Sequence, residues 1–280
     1  MKSNTRHTTL AMLLAAAMPM ILSTPALAGP GHGHSEEVAK TTDAPTMDAK
    51  AKAVWDKSIK ASLSENAEER GVKTMRLTGT MSMPAQGINA TMNIFIAKDQ
   101  GMRLDMEIPG IGSFEQGISG DVAWSNNMME GPKIIEGDEA KQLFKQLDLY
   151  ADLNWEKYYQ SITFKGQETI TLPDDTEMQT NVLELVSIDN GTVSTQYYNA
   201  DTGLLAKAVS TVAIPGGGEM PSTAYTTKYR EIEGLMIPFK TVSSSGPMKQ
   251  IIEFSEVLVN DEIKDGELDL PEDIKELLED

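Results

Sequence analysis

The chain has 280 residues, 42 acidic against 24 basic, for a formal charge of −18 and an isoelectric point near 4.6. A surface this acidic repels nucleic-acid phosphates and anionic headgroups, so neither nucleic-acid binding nor electrostatic membrane attachment is expected. The absence of cysteine removes disulfides, thiolate nucleophiles, cysteine-ligated zinc and lipobox lipidation.

Residues 1–28 have the layout of a secretory signal peptide. Lys2 and Arg6 form a basic start, Leu10 to Leu22 an apolar run, and Ala26-Leu27-Ala28 a small-x-small cleavage site. The apolar run is too short for a membrane-spanning helix. Cleavage near Ala28 would leave 22 basic residues and a net charge of −20, in a protein exported to the periplasm or secreted. Residues 29–47 lack periodicity and read as a disordered linker. His32 and His34 lie there, the only histidines left after cleavage; they read either as part of a polar leader or as loose ligands for Cu(II) or Ni(II).

Asp48 to about Glu69 is expected to be a helix, with Val54, Trp55, Ile59 and Leu63 on one stripe and Gly71 as its end. From Met75 to Pro109 the period changes to 2. Met75, Leu77, Gly79, Met81 and Met83 alternate with polar residues; Ile88, Ala90, Met92, Ile94 and Ile96 follow; then Met102, Leu104, Met106 and Ile108 oppose Arg103, Asp105 and Glu107. Side chains alternate across a strand, so this is an antiparallel meander with one methionine-rich apolar face and one polar face carrying Arg76 and Arg103. Short strands at Ser113–Ser119 and Val122–Ser125 continue it. Residues Glu136–Asp152 then read as a helix with Leu143, Phe144 and Leu147 on its stripe, and Asn154–Gln160 as a short helical piece with Trp155.

From Ser161 onward the pattern is strand and turn. Asn190-Gly191 predicts a type I′ hairpin, Asp201-Thr202-Gly203 and Glu233-Gly234 further turns, and Met248–Val259 the last long strand. Pro271 suits the start of a short final helix. The total is ten or eleven antiparallel strands with two main helices. The fold class is α+β, mostly β: a large antiparallel sheet curled by its own twist into an incomplete, half-open barrel, with helices as lid or plug. Residues 48–273 form one domain and 274–280 an acidic C-terminal tail.

Several phrases carry a resemblance. They are the strand Gly120-Asp121-Val122-Ala123-Trp124, the turn Tyr198-Asn199-Ala200-Asp201-Thr202-Gly203-Leu204-Leu205, the hairpin Lys228-Tyr229-Arg230-Glu231-Ile232-Glu233-Gly234-Leu235-Met236-Ile237-Pro238-Phe239, and the closing Val257-Leu258-Val259-Asn260. In this order, after a leading helix and around an inserted helix pair, they resemble the LolA/LolB-like superfamily, and more closely the outer-membrane lipoprotein-sorting-like exported proteins grouped with it. The resemblance covers Asp48 to Asp273. It implies an incomplete β-barrel with helices over a hydrophobic cavity, which holds acyl chains in the sorting carriers. A methionine-rich face is not a hallmark of those carriers.

The folded part has no histidine, so Ser-His and Cys-His nucleophilic sites are unavailable. No glycine-rich phosphate loop follows a strand, and no carboxylate pair stands out, so neither an enzyme nor a cofactor is expected. The expected cavity lining is Met75, Met81, Met83, Met92, Ile94, Met102, Leu104 and Met106, with Trp124 from the following strand and Leu143, Phe144, Leu147 and Trp155 from the helical insert. Methionine is flexible and polarisable, which suits acyl chains of varied shape. The expected function is binding or carriage of a lipophilic ligand, such as a lipid or lipoprotein acyl chain. Two alternatives stand beside it. One is an envelope interaction domain with a filled core and a protein partner. The other is copper handling through Met81, Met83, Met128, Met129, His32 and His34.

Overall fold

In the computed structural model, residues 44–63, 71–128, 130–213 and 219–279 are described. The expected signal peptide, His32, His34 and Met129 lie outside them. Among the described residues one sheet of 14 strands takes in the whole domain, with strand order β1-β8-β9-β10-β11-β12-β13-β14-β2-β3-β4-β5-β6-β7. It is curled and not closed. The first meander is β2 (Thr74–Met83), β3 (Ile88–Ala97), β4 (Gly101–Ile108), β5 (Gly112–Ser119), β6 (Val122–Asn127) and β7 (Gly131–Ile135). The second is β8 (Tyr159–Thr171), β9 (Glu177–Ser187), β10 (Val193–Asn199), β11 (Leu205–Ala213), β12 (Glu219–Ile232), β13 (Leu235–Ser245) and β14 (Met248–Val259). Each neighbour pair within a meander is antiparallel. The two meanders join where β14 pairs antiparallel with β2, Val259 opposite Met75 and Ile252 opposite Met81.

The sheet has more strands than the ten or eleven expected, and two of them, β1 and β7, lie where the sequence pattern reads no strand. β7 lies in a stretch with too little alternation to show itself. β1 (Thr46–Met47) corrects the expected linker, because Thr46 and Met47 pair in parallel with Ser161 and Ile162 of β8. Helix α1 (Ala49–Ser62) follows at once. Asp48 caps it, accepting from the backbone N–H groups of Lys50 and Ala51 at 2.9 Å each, and its second oxygen accepts from Phe164 N on β8 at 2.7 Å. These backbone donors hold the Asp48 carboxyl below its usual pKa. The helix ends at Ser62; the rest of the expected helix, from residue 64, lies outside the described residues. Leu63 turns extended and bridges Leu235, because its apolar side chain finds the core there.

Helix α2 (Gly137–Lys145) is shorter than expected, and the chain continues through turns to a 3-10 turn at Trp155–Lys157. The Asn190-Gly191 corner also differs: Gly191 has a positive φ of 69° but Asn190 does not, so the connection is a longer turn closed by Ser187 N–H donating to Thr192 O at 2.9 Å. The short final helix expected at Pro271 is α3 (Glu272–Glu279); it takes in most of the expected acidic tail from residue 274 and is anchored against β7, with Ile274 fully buried.

The polar face of the first meander is covered by this C-terminal segment. Arg76 sits 4.5 Å from the Phe95 ring centre and is gripped by Asp261 (Nε to Oδ2, 2.6 Å) and bidentately by Glu267. Asn260, at a positive φ of 58°, turns the chain back and bonds Lys73 N–H and Gly71 O. Both guanidinium partners are held below their ordinary carboxylate pKa by the hydrogen bond to Arg76.

Two predictions follow from the sheet and its cover. Gly79 faces Phe254 across the β14–β2 seam, where a Cβ would meet Glu253 O at 2.5 Å and Phe254 Cα at 2.9 Å. Gly79→Ala should cost about 1–3 kcal/mol in urea unfolding, because the obstacle is backbone and has nowhere to move. Glu267→Gln should lose about 1–2 kcal/mol at pH 7 through its weakened bonds to Arg76. A depressed folded pKa stabilises above the ordinary glutamate value of 4.5 and is lost as pH falls through the folded value. The gap between wild type and variant should therefore close in unfolding curves taken in acid below that value.

Candidate functional site

The inner face of the curled sheet is built of three zones. The first is the methionine wall. Across β2, β3 and β4 the register places Met75 opposite Ile96, Leu77 opposite Ile94, Met81 opposite Ala90, and Met92 opposite Met106. Met75, Met81, Met83, Met92, Ile94, Met102, Leu104 and Met106 are all buried in one cluster, joined by Phe239 and Phe254 from β13 and β14. The alternation read from the sequence therefore holds, and Arg76 and Arg103 are on the opposite face. Leu143 and Leu147 from α2 and its following turn lie on this wall, together with Leu149, and Phe144 packs at its margin. The insert is tied down by Tyr150, whose hydroxyl bonds Val72 O at 2.9 Å, by Tyr158 donating to Asp148 at 2.6 Å, and by the Lys145–Asp189 ion pair to the β9–β10 turn.

Two expected lining residues belong elsewhere. Trp124 is a correction: it stands opposite Gly117, which stands opposite Arg103, and so it lies on the outer face. It lies flat on Gly117, where a Cβ would come within 2.6 Å of its ring, beneath Arg103 at 5.6 Å. Its neighbour Ala123, not Trp124, is the inner residue of β6. Trp155 joins a second cluster and does not reach the wall.

That second cluster is the second zone. Trp55 of α1 is buried against Ile162, Leu183, Leu185, Tyr198 and Leu205, meets the Tyr159 and Tyr198 rings edge-on at 6.4 Å, and donates Nε1–H to Asp152 O at 3.0 Å. Burial raises the phenol pKa of Tyr159, Tyr198 and Tyr229 far above the ordinary range, so all three remain neutral. Tyr198 donates to Gln196, and Tyr229 to Leu205 O at 2.8 Å. Helix α1 crosses the inner face from β8 towards β13 and plugs this end of the curl.

The third zone lies between the clusters and was not anticipated. One rung of paired residues runs Gln196, Ala208, Ala224, Ser243, Gln250 across β10 to β14. The next runs Ser210, Ser222, Ser245, with Ser194 on the same face. The second rung ends at Met248 on β14, opposite Ser245; apart from it and the two buried glutamines at the flanks, both rungs carry only alanine and serine. Ala208, Ala224, Ser210, Ser222 and Ser243 are half-buried. The Ser245 hydroxyl is buried without a hydrogen-bond partner among the described residues. The inner face is thus a greasy wall, an aromatic plug and, between them, a low floor of small and hydroxyl side chains. The signal in sequence was the run of Ala, Ser and Thr at alternate positions of β10 to β13, a pattern shared with any solvent-facing strand.

Among the described residues no group of three or more His, Asp or Glu stands close enough to hold a metal ion, and Met81 and Met83 point into the apolar cluster. No helix among them is long and apolar enough to cross a membrane.

No family model matches the chain, and no curated protein matches it. Solved structures do. A LolA superfamily protein from Nitrosomonas europaea aligns at 14% identity over 76% of this chain and 94% of its own, with a TM-score of 0.48. A domain described as an outer membrane lipoprotein-sorting protein from Vibrio parahaemolyticus aligns at 13% identity over 82% of this chain and 100% of its own, with a TM-score of 0.52. A DUF1329 family protein from Desulfovibrio piger aligns at 10% identity over 78% and 97%, with a TM-score of 0.53. The fold is LolA/LolB-like. The inner face, with its helical cover, is the concave side of this sheet.

Proposed function

We propose that this protein is an exported binder or carrier of a lipophilic ligand, a lipid or lipoprotein acyl chain, held on the inner face of the half-barrel. The observation that carries the reading is the pairing of a methionine wall with a bare hydroxyl floor on one continuous surface. An acyl chain gains about 25 cal/mol for each Å² of apolar surface it buries, and methionines adjust to its shape. The floor leaves room for a polar end, whose donors and acceptors would meet Ser222, Ser243 and Gln250. The similarity to a domain described as lipoprotein-sorting supports the reading at the level of fold alone. The protein would act by binding and not by bond-making chemistry. Its place of action would be the periplasm, or outside the cell, after removal of residues 1–28.

One observation favours a second reading. The wall methionines are at most 4% exposed, with α2 and its turn seated on them. A domain with such a filled core would serve a protein partner and hold no small ligand. In the carrier reading, Leu143 and Leu147 must lift for the chain to enter.

Native mass spectrometry of the mature protein, purified without detergent, separates the two. A stoichiometric apolar adduct, identified in an organic extract of the same sample, is the expected result. Ala224→Trp, which fills the middle of the floor, should lower ligand occupancy about tenfold while unfolding at a similar urea concentration. An unadducted mass that takes up no lipid on incubation would sink the carrier reading and leave the filled-core domain.

A further inference from the structure

The opposite face of the sheet carries a second concavity. Val242 and Ile251 are a directly paired couple on β13 and β14, on the face away from Ile252 and Met81. They floor a cleft of about 520 Å³ whose far side is the β8–β9 turn with Leu172 and Pro173, the start of β9 with Met178, and Leu204 before β11. That size falls within the roughly 300–1,000 Å³ of small-molecule sites. Lys240, opposite Glu253, and Lys249, opposite Ser244, flank the Val242–Ile251 pair on opposite sides, and Lys228 joins Lys240 at Glu253. Lys240 is two residues from Val242 and Lys249 two from Ile251, so alternation sets both lysines on the cleft's own face.

In a chain of formal charge −18 this gathering of cations is out of keeping with the rest of the surface. Glu253 pairs with both Lys228 and Lys240, the latter at 3.5 Å. Lys249 has no ion pair among the described residues. The lining's own acid, Asp174, is bonded to the backbone and hydroxyl of Thr176. Asp174 stays ionised, so three lysines against Asp174 and Glu253 leave one positive charge in surplus, at Lys249, beside an apolar floor.

We infer that this outer cleft binds a single-chain anionic amphiphile, a long-chain carboxylate, with its alkyl chain on Val242, Ile251 and Met178 and its head at Lys249. A peptide is the poorer occupant. β12, β13 and β14 each have both neighbours already paired, so the cleft offers no free backbone edge to which a strand would add. A cation of the same shape meets three lysines. The lining also takes in Leu205, Thr226 and Tyr229 at the border of the Trp55 cluster, so the test has to tell an outer-cleft ligand from one on the inner face.

The test uses the mature protein and a diazirine-bearing dodecanoate, with cross-links mapped by peptide sequencing. Cross-links are expected in residues 240–251 and 172–178. Unlabelled dodecanoate should compete at least tenfold better than dodecyltrimethylammonium. Lys249→Glu should weaken binding about fivefold, the scale of one exposed ion pair. Ile251→Trp should remove the outer cross-links, and Ala224→Trp should leave them in place. Cross-links found only on the inner strands, or equal competition by the cationic amphiphile, would overturn the outer site and leave the inner-face reading standing. The exposed Lys249→Glu change decides the matter if Ile251→Trp does not fold. Unchanged binding in Lys249→Glu, or no binding at all, likewise overturns it.

Discussion

Everything in this molecule depends on the seam between β14 and β2. Each meander alone is a twisted ribbon with two open edges; joined, they are one sheet long enough to curl. The seam pairs the last long strand with the first, and so must overcome the loop-closure entropy of nearly the whole domain. It is correspondingly specific. A bulge at Ser255 shifts the register between Phe254 and Glu256, and the displaced Ser255 hydroxyl donates to Thr78 O at 3.1 Å. Gly79 is the residue that lets the backbones close at that point. Through this register Phe254 and Ile252 arrive on the same side as Met75 and Met81, and the second meander's inner face continues the first's.

A sheet of this extent has two large faces, and the protein treats them unequally. The inner face takes two covers, α1 at the Trp55 end and the α2 insert at the methionine end, with the small-residue floor between them. The outer face of the first meander is sealed by the C-terminal segment through Arg76, Asp261, Glu267 and the buried Ile274. Among the described residues no such segment seals the outer face of β13 and β14, where the cleft lies. Charge follows the same division. Neutral phenols and glutamines serve the inner face, the Arg76 cluster locks the tail, and the lysines gather where the sheet is open.

In the proposed function the α2 insert is therefore central. Its stripe residues satisfy the methionine wall as an acyl chain would, by dispersion and burial with no directional bond. The ties that hold the insert are polar and peripheral: Tyr150 to Val72, Tyr158 to Asp148, Lys145 to Asp189. In the proposed carrier reading, such a contact surface, apolar and adaptable beneath and held by a few peripheral polar bonds, is the one that a competing chain of methylenes would enter.

The sequence by itself determined the strands, their faces and the class of fold. Period-2 alternation from Met75 to Ile108 is a local property, and burial of one side of a pleated strand leaves no other arrangement, so the methionine wall and the outward Arg76 and Arg103 were legible residue by residue. The order of turns and inserted helices was enough for the half-barrel. Tertiary structure alone decided which elements share a surface. Trp124 went to the outer face because Gly117 opens a flat seat for it beside Arg103; Trp155 went to the Trp55 cluster; Thr46 and Met47 became a strand because β8 offered an edge. The hydroxyl floor was invisible for the same reason. Serine and alanine at alternate positions carry no sign of which face they occupy, and only the long-range pairing of β10 to β14 puts Ala208, Ala224 and Ser243 in one row on the inside.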